Sequence, residues 1–184
     1  MPDDSAPAGG EDIAAVFDAH VAFEFVSKDL EATMGTMTAT PWVTHVPTLA
    51  GGIGAEGVRQ FYGAHFIGRW PEDTRISHVA RTVGTGRVVD EMVMRFTHDI
   101  VMDTLLPGVA PTGRAVELPV VVVAGFEGDK VAFERIYWDQ ASLLVQIGLL
   151  DAQLLPVCGV EQAAKVLDES LPCNALIERA ARHT

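Results

Sequence analysis

The residues best suited to chemistry lie in the stretch VAFERIYWDQASLLVQIGLL, Val131 to Leu150. It reads as a strand running into a helix, and it carries two carboxylates, Glu134 and Asp139. Five residues apart on a regular strand, they point to opposite faces. Glu134 shares its face with Ala132, Ile136, Trp138 and Gln140; Asp139 shares the other with Val131, Phe133, Arg135 and Tyr137. A carboxyl buried among apolar groups has a raised pKa and suits general acid or base work near neutrality. On a solvated face, or paired with an arginine, Glu134 would be an ordinary surface acid. Trp138, beside Glu134 and Ile136, offers a ligand a flat aromatic wall. His98, in MVMRFTHD, alternates with Met92, Met94 and Phe96, and that Met-rich face reads as the lining of a cavity. A metal site at His98, Asp99 and Asp103 is not expected, because adjacent strand residues diverge. The chain has no GxSxG, no reactive-cysteine context and no P-loop. That excludes the common covalent mechanisms and NTP chemistry, and it leaves proton transfer in an apolar pocket, with no cofactor.

The elements that must position these groups follow from periodicity. Ile13, Val16, Phe17, His20 and Val21 recur at helical spacing. Ser27 has N-cap character before a short helix in KDLEATMGTM. TATPWVTHVPT is a short β-like piece between prolines, and LAGGIGAEG reads as a glycine-rich loop. A third helix begins near Ala55, with Val58, Phe61, Tyr62, His65 and Phe66 on its buried side; Tyr62 and Phe66 are the members placed to touch a ligand. Two hairpins follow, RISHVARTV with VVDEMVMRFTHDIV and RAVELPVVVVAGF with KVAFERIYWD. Both faces of PVVVVAGF are apolar, so that strand should be covered on both sides. Helices first and antiparallel strands after is an α+β order. A curved sheet wrapped over helices makes a cone that can enclose a pocket.

Composition bounds the partners. The chain has 184 residues, enough for one domain with a substantial core. Its formal charge of −12 disfavours nucleic acid and anionic lipid alike. No apolar run is long enough to span a membrane, and MPDDSAPAGGED lacks the pattern of a signal peptide. A cytoplasmic location is expected, with Cys158 and Cys173 reduced. Residues 1–10 read as disordered, 11–150 as the domain and 151–184 as a helical extension.

Three pieces resemble the NTF2-like superfamily, and within it the SnoaL-like, polyketide cyclase-related group. They are the N-terminal helix leading to PWVTHVP, the segment GIGAEGVRQFYGAHF, and the ending GDKVAFERIYWDQASLLVQIGLL. The resemblance implies a cone-shaped fold, N-terminal helices packed against a curved, mainly antiparallel sheet, with an apolar pocket and a homodimer. It does not by itself imply turnover, since this fold hosts unrelated functions. In such relatives the working acid sits on the last strand at the position of Ile136, so Glu134, one pair earlier on the same face, is its replacement here. Asp139 matches a second, terminal acid, expected to hold the strand-to-helix junction. His45 matches a pocket Asn or His, with Trp42 and Pro47 shaping the wall beside it. The arginine and acid of epoxide-opening relatives fall at Met92 and Met94, so that chemistry is not carried over. The expected activity is isomerisation, cyclisation or dehydration of a hydrophobic carbonyl compound, with Glu134, His45, His98 and Asp139 as catalytic candidates. Trp42, Tyr62, Phe66, Met92, Met94, Ile136 and Trp138 would contact the ligand. The alternatives are a non-catalytic binder of an apolar metabolite and a dimeric protein-interaction scaffold.

Overall fold

A computed structural model describes residues 10–182; the expectation of a disordered start therefore lies, Gly10 apart, outside the described residues. Helix α1 (Gly10–Ala22) continues into a π-helical turn, Phe23–Ser27, which ends where Lys28 turns left-handed at φ 53°. Ile13, Phe17, His20 and Glu24 form its buried stripe. The cap of α2 (Leu30–Gly35) is Asp29, which accepts from the Ala32 amide at 3.0 Å, and not Ser27, which still belongs to the π turn. Helix α3 (Gly54–Phe61) also runs into a π-helical turn, Tyr62–Phe66. The extra residue per turn lets Phe61, Tyr62 and Phe66 all face inward, while His65 points out to Asp103 at 3.0 Å.

Six strands form one sheet: β1 (Met37–His45), β2 (Ala50–Ile53), β3 (Arg75–Gly84), β4 (Arg87–Thr97), β5 (Ala115–Glu127) and β6 (Lys130–Trp138), in the order β2-β1-β6-β5-β4-β3. All pairings are antiparallel except β1 with β6. The short β-like piece is thus a full strand with a central neighbour. Its ladder slips between Met37 and Trp42, around Pro41, which has no N–H to give it. The glycine-rich stretch supplies edge strand β2 rather than only a loop. Gly52 lies so close to α3 that a Cβ would sit 2.3 Å from the Gly57 carbonyl oxygen, so a glycine at 52 is what lets strand and helix touch.

Helix α1 packs on β3, β4 and β6, and α3 on β1 and β2. The core lies between these helices and the inner sheet face, where Val116, Leu118, Val120, Val122 and Ala124 of β5 alternate inward. The loop after β4 closes one end with Met102, Leu105 and Leu106, all buried. Helices α4 (Gln140–Gln146), α5 (Glu161–Leu167) and α6 (Ala175–Ala181) complete the chain. Helix α5 packs on β4 and β5 and buries Ala163 completely, which covers the second face of the apolar β5 run. Among the described residues no helix is long and apolar enough to cross a membrane.

Candidate active site

A cavity of about 210 Å³ opens between α1, the π turn of α3 and the inner sheet face. Most of its wall is apolar: Phe17, Val43, Phe66, Met92, Met94 and Val120 contribute. A second space of about 340 Å³ shares Glu24, Phe25, Trp70 and Ile76 with it, so these four residues stand between the two spaces. The rings of Phe25 and Trp70 stand 5.4 Å apart there.

One end of the cavity carries Glu24, Tyr62, Glu134 and His45, all buried. Behind them lies His20, fully buried on α1. The Tyr62 hydroxyl donates to Glu134 Oε2 at 2.7 Å. The Thr36 hydroxyl donates to the Thr33 carbonyl at 2.6 Å, so its oxygen can only accept from His20 Nδ1, also at 2.6 Å. That fixes a proton on Nδ1. His20 Nε2 then faces three oxygens: Glu24 Oε1 at 3.3 Å, Glu134 Oε2 at 3.4 Å and the Tyr62 hydroxyl at 3.3 Å. The Tyr62 proton is committed to Glu134, so Nε2 also carries a proton and the ring is an imidazolium. Burial alone would lower its pKa, but the facing carboxylates of Glu24 and Glu134 push it up to about 10.

The two carboxyls are driven apart. Burial raises the pKa of Glu24 beyond what His20 can offset. Burial also acts on Glu134, but the His20 charge and the hydrogen bonds from His20 and Tyr62 outweigh it, and its pKa is lowered. Glu134 is therefore the carboxylate, and Glu24 the carboxyl that takes up a proton first. Burial lowers His45 to about 4 despite the nearby Glu134 charge, so its ring is neutral at physiological pH. Its Nδ1 is buried without a partner among the described residues. Such an atom costs folding free energy.

His20, Glu24 and Glu134 are the group among the described residues whose donor atoms could converge on a metal ion. A cation would have to displace the proton on Nε2, which faces the Glu134 carboxylate and the Glu24 carboxyl.

No family model matches this sequence, and no curated protein matches it. Solved structures do. A protein named as a SnoaL-like polyketide cyclase from a Jannaschia species is 18% identical, over 81% of this chain and 99% of its own, with a TM-score of 0.59. An NTF2-like protein of unknown function from Burkholderia pseudomallei is 19% identical, over 74% and 98%, with a TM-score of 0.55. A Catenulispora acidiphila protein with a ketosteroid isomerase-like fold, solved with trimethylamine, is 17% identical, over 73% and 93%, also at 0.55.

The chain has the NTF2-like fold. Within that NTF2-like cone, Glu134, His45, Tyr62, Phe66, Met92, Met94, Ile136 and Trp138 line the cavity. Three other candidates do not. Asp139 caps α4, accepting from the amides of Ala141 and Ser142 at 2.8 and 3.2 Å, and lies at the strand end outside the cavity. Trp42 stacks on Phe133, ring centroids 4.5 Å apart, on the opposite sheet face. His98 leaves the Met face because β4 ends at Thr97; its carbonyl accepts from Thr112 and Gly113, its Nδ1 pairs with Thr112, and it closes the base of the following loop. The expected rise in the Glu134 pKa is also reversed, because its surroundings include a cation and are not purely apolar. Sequence reasoning missed His20 and Glu24. The signal was the continuation of the α1 stripe, Ile13, Phe17, His20, Glu24, which places two polar groups on a buried face.

Proposed function

We propose that this chain is an acid–base enzyme acting on a small hydrophobic carbonyl compound, by isomerisation, cyclisation or dehydration. The observation that carries this reading is a buried carboxylate held by a phenol and an imidazolium at one end of an apolar cavity. Both contacts fall on Glu134 Oε2, which leaves Oε1 to remove a proton next to the carbonyl. The oxygen on which charge develops is placed against the neutral imidazole of His45, which lines the same end of the cavity. Glu24, in its protonated form, returns a proton to the product carbon or to a departing hydroxyl. A pair of carboxyls with separated pKa values is what such a division of labour needs.

The test is proton exchange in deuterium oxide. The α-protons of 2-tetralone, a bicyclic ketone small enough for the cavity, are followed by NMR with and without protein. Acceleration over buffer that falls by roughly 10² to 10⁴ in Glu134→Gln supports the reading. No acceleration with any bicyclic ketone defeats it. A second reading is a binder of an apolar metabolite, favoured by the purely apolar Met92, Met94 and Ile136 on the wall. It requires ligand protection against unfolding, no exchange, and indifference to Glu134→Gln.

A further inference from the structure

The cavity has a second polar end, built from α1 and the β3–β4 hairpin. Arg81, Asp90, Asp18 and His78 line it. Arg81 and Asp90 are cross-strand partners, and the guanidinium meets the carboxylate with two parallel bonds, Nε to Oδ1 at 2.6 Å and Nη2 to Oδ2 at 2.7 Å. The Asp90 side chain is 4% exposed, so the fork is fixed in the wall. The Phe17 ring lies beneath it, 5.7 Å from the guanidinium carbon. His78 Nε2 lies 3.6 Å from Asp90 Oδ1.

A second carboxylate completes the arrangement in a different way. Asp18 reaches Arg81 Nη2 at 2.8 Å, but its side chain is 66% exposed. An exposed ion pair of this kind contributes little stability, and its acid can return to water at small cost. A buried ion pair in an apolar wall is likewise weak evidence for stability, and an apolar ligand would gain nothing from it. What the pair does supply is a permanently charged guanidinium whose Nε and Nη2 edge is held by Asp90, so that its second Nη2 proton is aimed at another anion, as Asp18 shows.

We propose that Arg81, oriented by Asp90, receives a carboxylate at one end of an otherwise apolar ligand, and that Asp18 occupies that receptor until the ligand arrives. The exchange replaces one carboxylate by another, so the charge around the guanidinium does not change. This inference rests on the cavity being a small-molecule site and names its substrate class: an apolar keto acid, its carbonyl at Glu134 and its carboxylate at Arg81.

Calorimetry with 2-naphthoate and methyl 2-naphthoate tests it, because the two probes differ in charge and little in shape. The acid should bind at least about tenfold more tightly than the ester. Asp18→Asn should strengthen the acid several-fold and leave the ester unchanged. Arg81→Met combined with Asp90→Leu removes both members of the pair, leaves no lone buried charge, and should equalise the two probes. An ester that binds as well as the acid, or a preference that survives the double variant, overturns the proposal. Binding of neither probe removes the cavity reading and this inference together. Loss of the exchange activity with the acid preference intact would leave this inference standing and overturn the catalytic one.

Discussion

At the residue scale the cluster around His20 sets the pH behaviour. The His20 ring binds its proton more tightly folded than unfolded, with a pKa raised from 6.5 to about 10. Its contribution to stability is therefore complete below about pH 6.5 and is lost as pH rises towards 10. His45 acts with the opposite sign: its pKa is lowered to about 4, so the unfolded chain takes up the proton first and stability falls as pH drops from about 6.5 to 4. Urea unfolding measured between pH 6.5 and 10 should show a falling midpoint in the wild type and a flatter one in His20→Gln. An equal fall in both would mean that the ring is not the charged member of the cluster. None of this was legible in the alternation of β6, which orients Glu134 but says nothing of what meets it. The partners are His20 on α1, 114 residues earlier, Glu24 on the π turn that follows it, 110 earlier, and Tyr62 on the π turn after α3. Periodicity identifies a buried face; which polar groups on two such faces meet depends on how the elements cross.

At the element scale, the strands that alternate cleanly, β4 and β5, were readable, and so was the strand-to-helix step at Asp139. Edge strand β2 was not, because Ala50, Gly51 and Gly52 carry no β-branched or aromatic signal; their glycines serve close approach instead, Gly51 to the Val43 carbonyl of β1 and Gly52 to α3. Asp139 shows how an acid in a functional-looking motif can serve the frame. Its Oδ1 caps α4, while its Oδ2 accepts from Gln162 of α5 at 2.5 Å. Asp139→Ala should cost about 1–2 kcal/mol, the range of a lost cap, and leave ligand binding in the cavity unchanged. Thermal unfolding together with 2-naphthoate calorimetry separates the two effects. Lost binding in a folded Asp139→Ala variant would return this residue to the site.

At the scale of the whole molecule, the extension after Leu150 is the part for which the sequence offered least. Helical spacing in EQAAKVLDES was visible, but its docking place was not. In the structure α5 lies on β4 and β5, Ser142 Oγ donates to the Gly159 carbonyl at 2.8 Å, and Val93, which points to that outer face, is fully buried. The cavity lies on the other side of the same sheet and, among the described residues, draws no lining residue from the extension. The extension therefore acts as a cover for the outer face, and the face beneath it is the apolar surface a truncated chain would present. Deleting residues 160–184 exposes Val93 and removes the contacts of Ala163. At about 1.5–3 kcal/mol per large side chain returned to water, the thermal midpoint should fall by on the order of 5–10 °C. The uncovered strands should also self-associate, since an exposed apolar face of this kind is an association surface. Light scattering across a concentration series would show it. Binding of 2-naphthoate should survive the deletion, because every lining residue is retained. Loss of binding in a folded truncation would mean that the extension holds the sheet in the curvature the cavity needs.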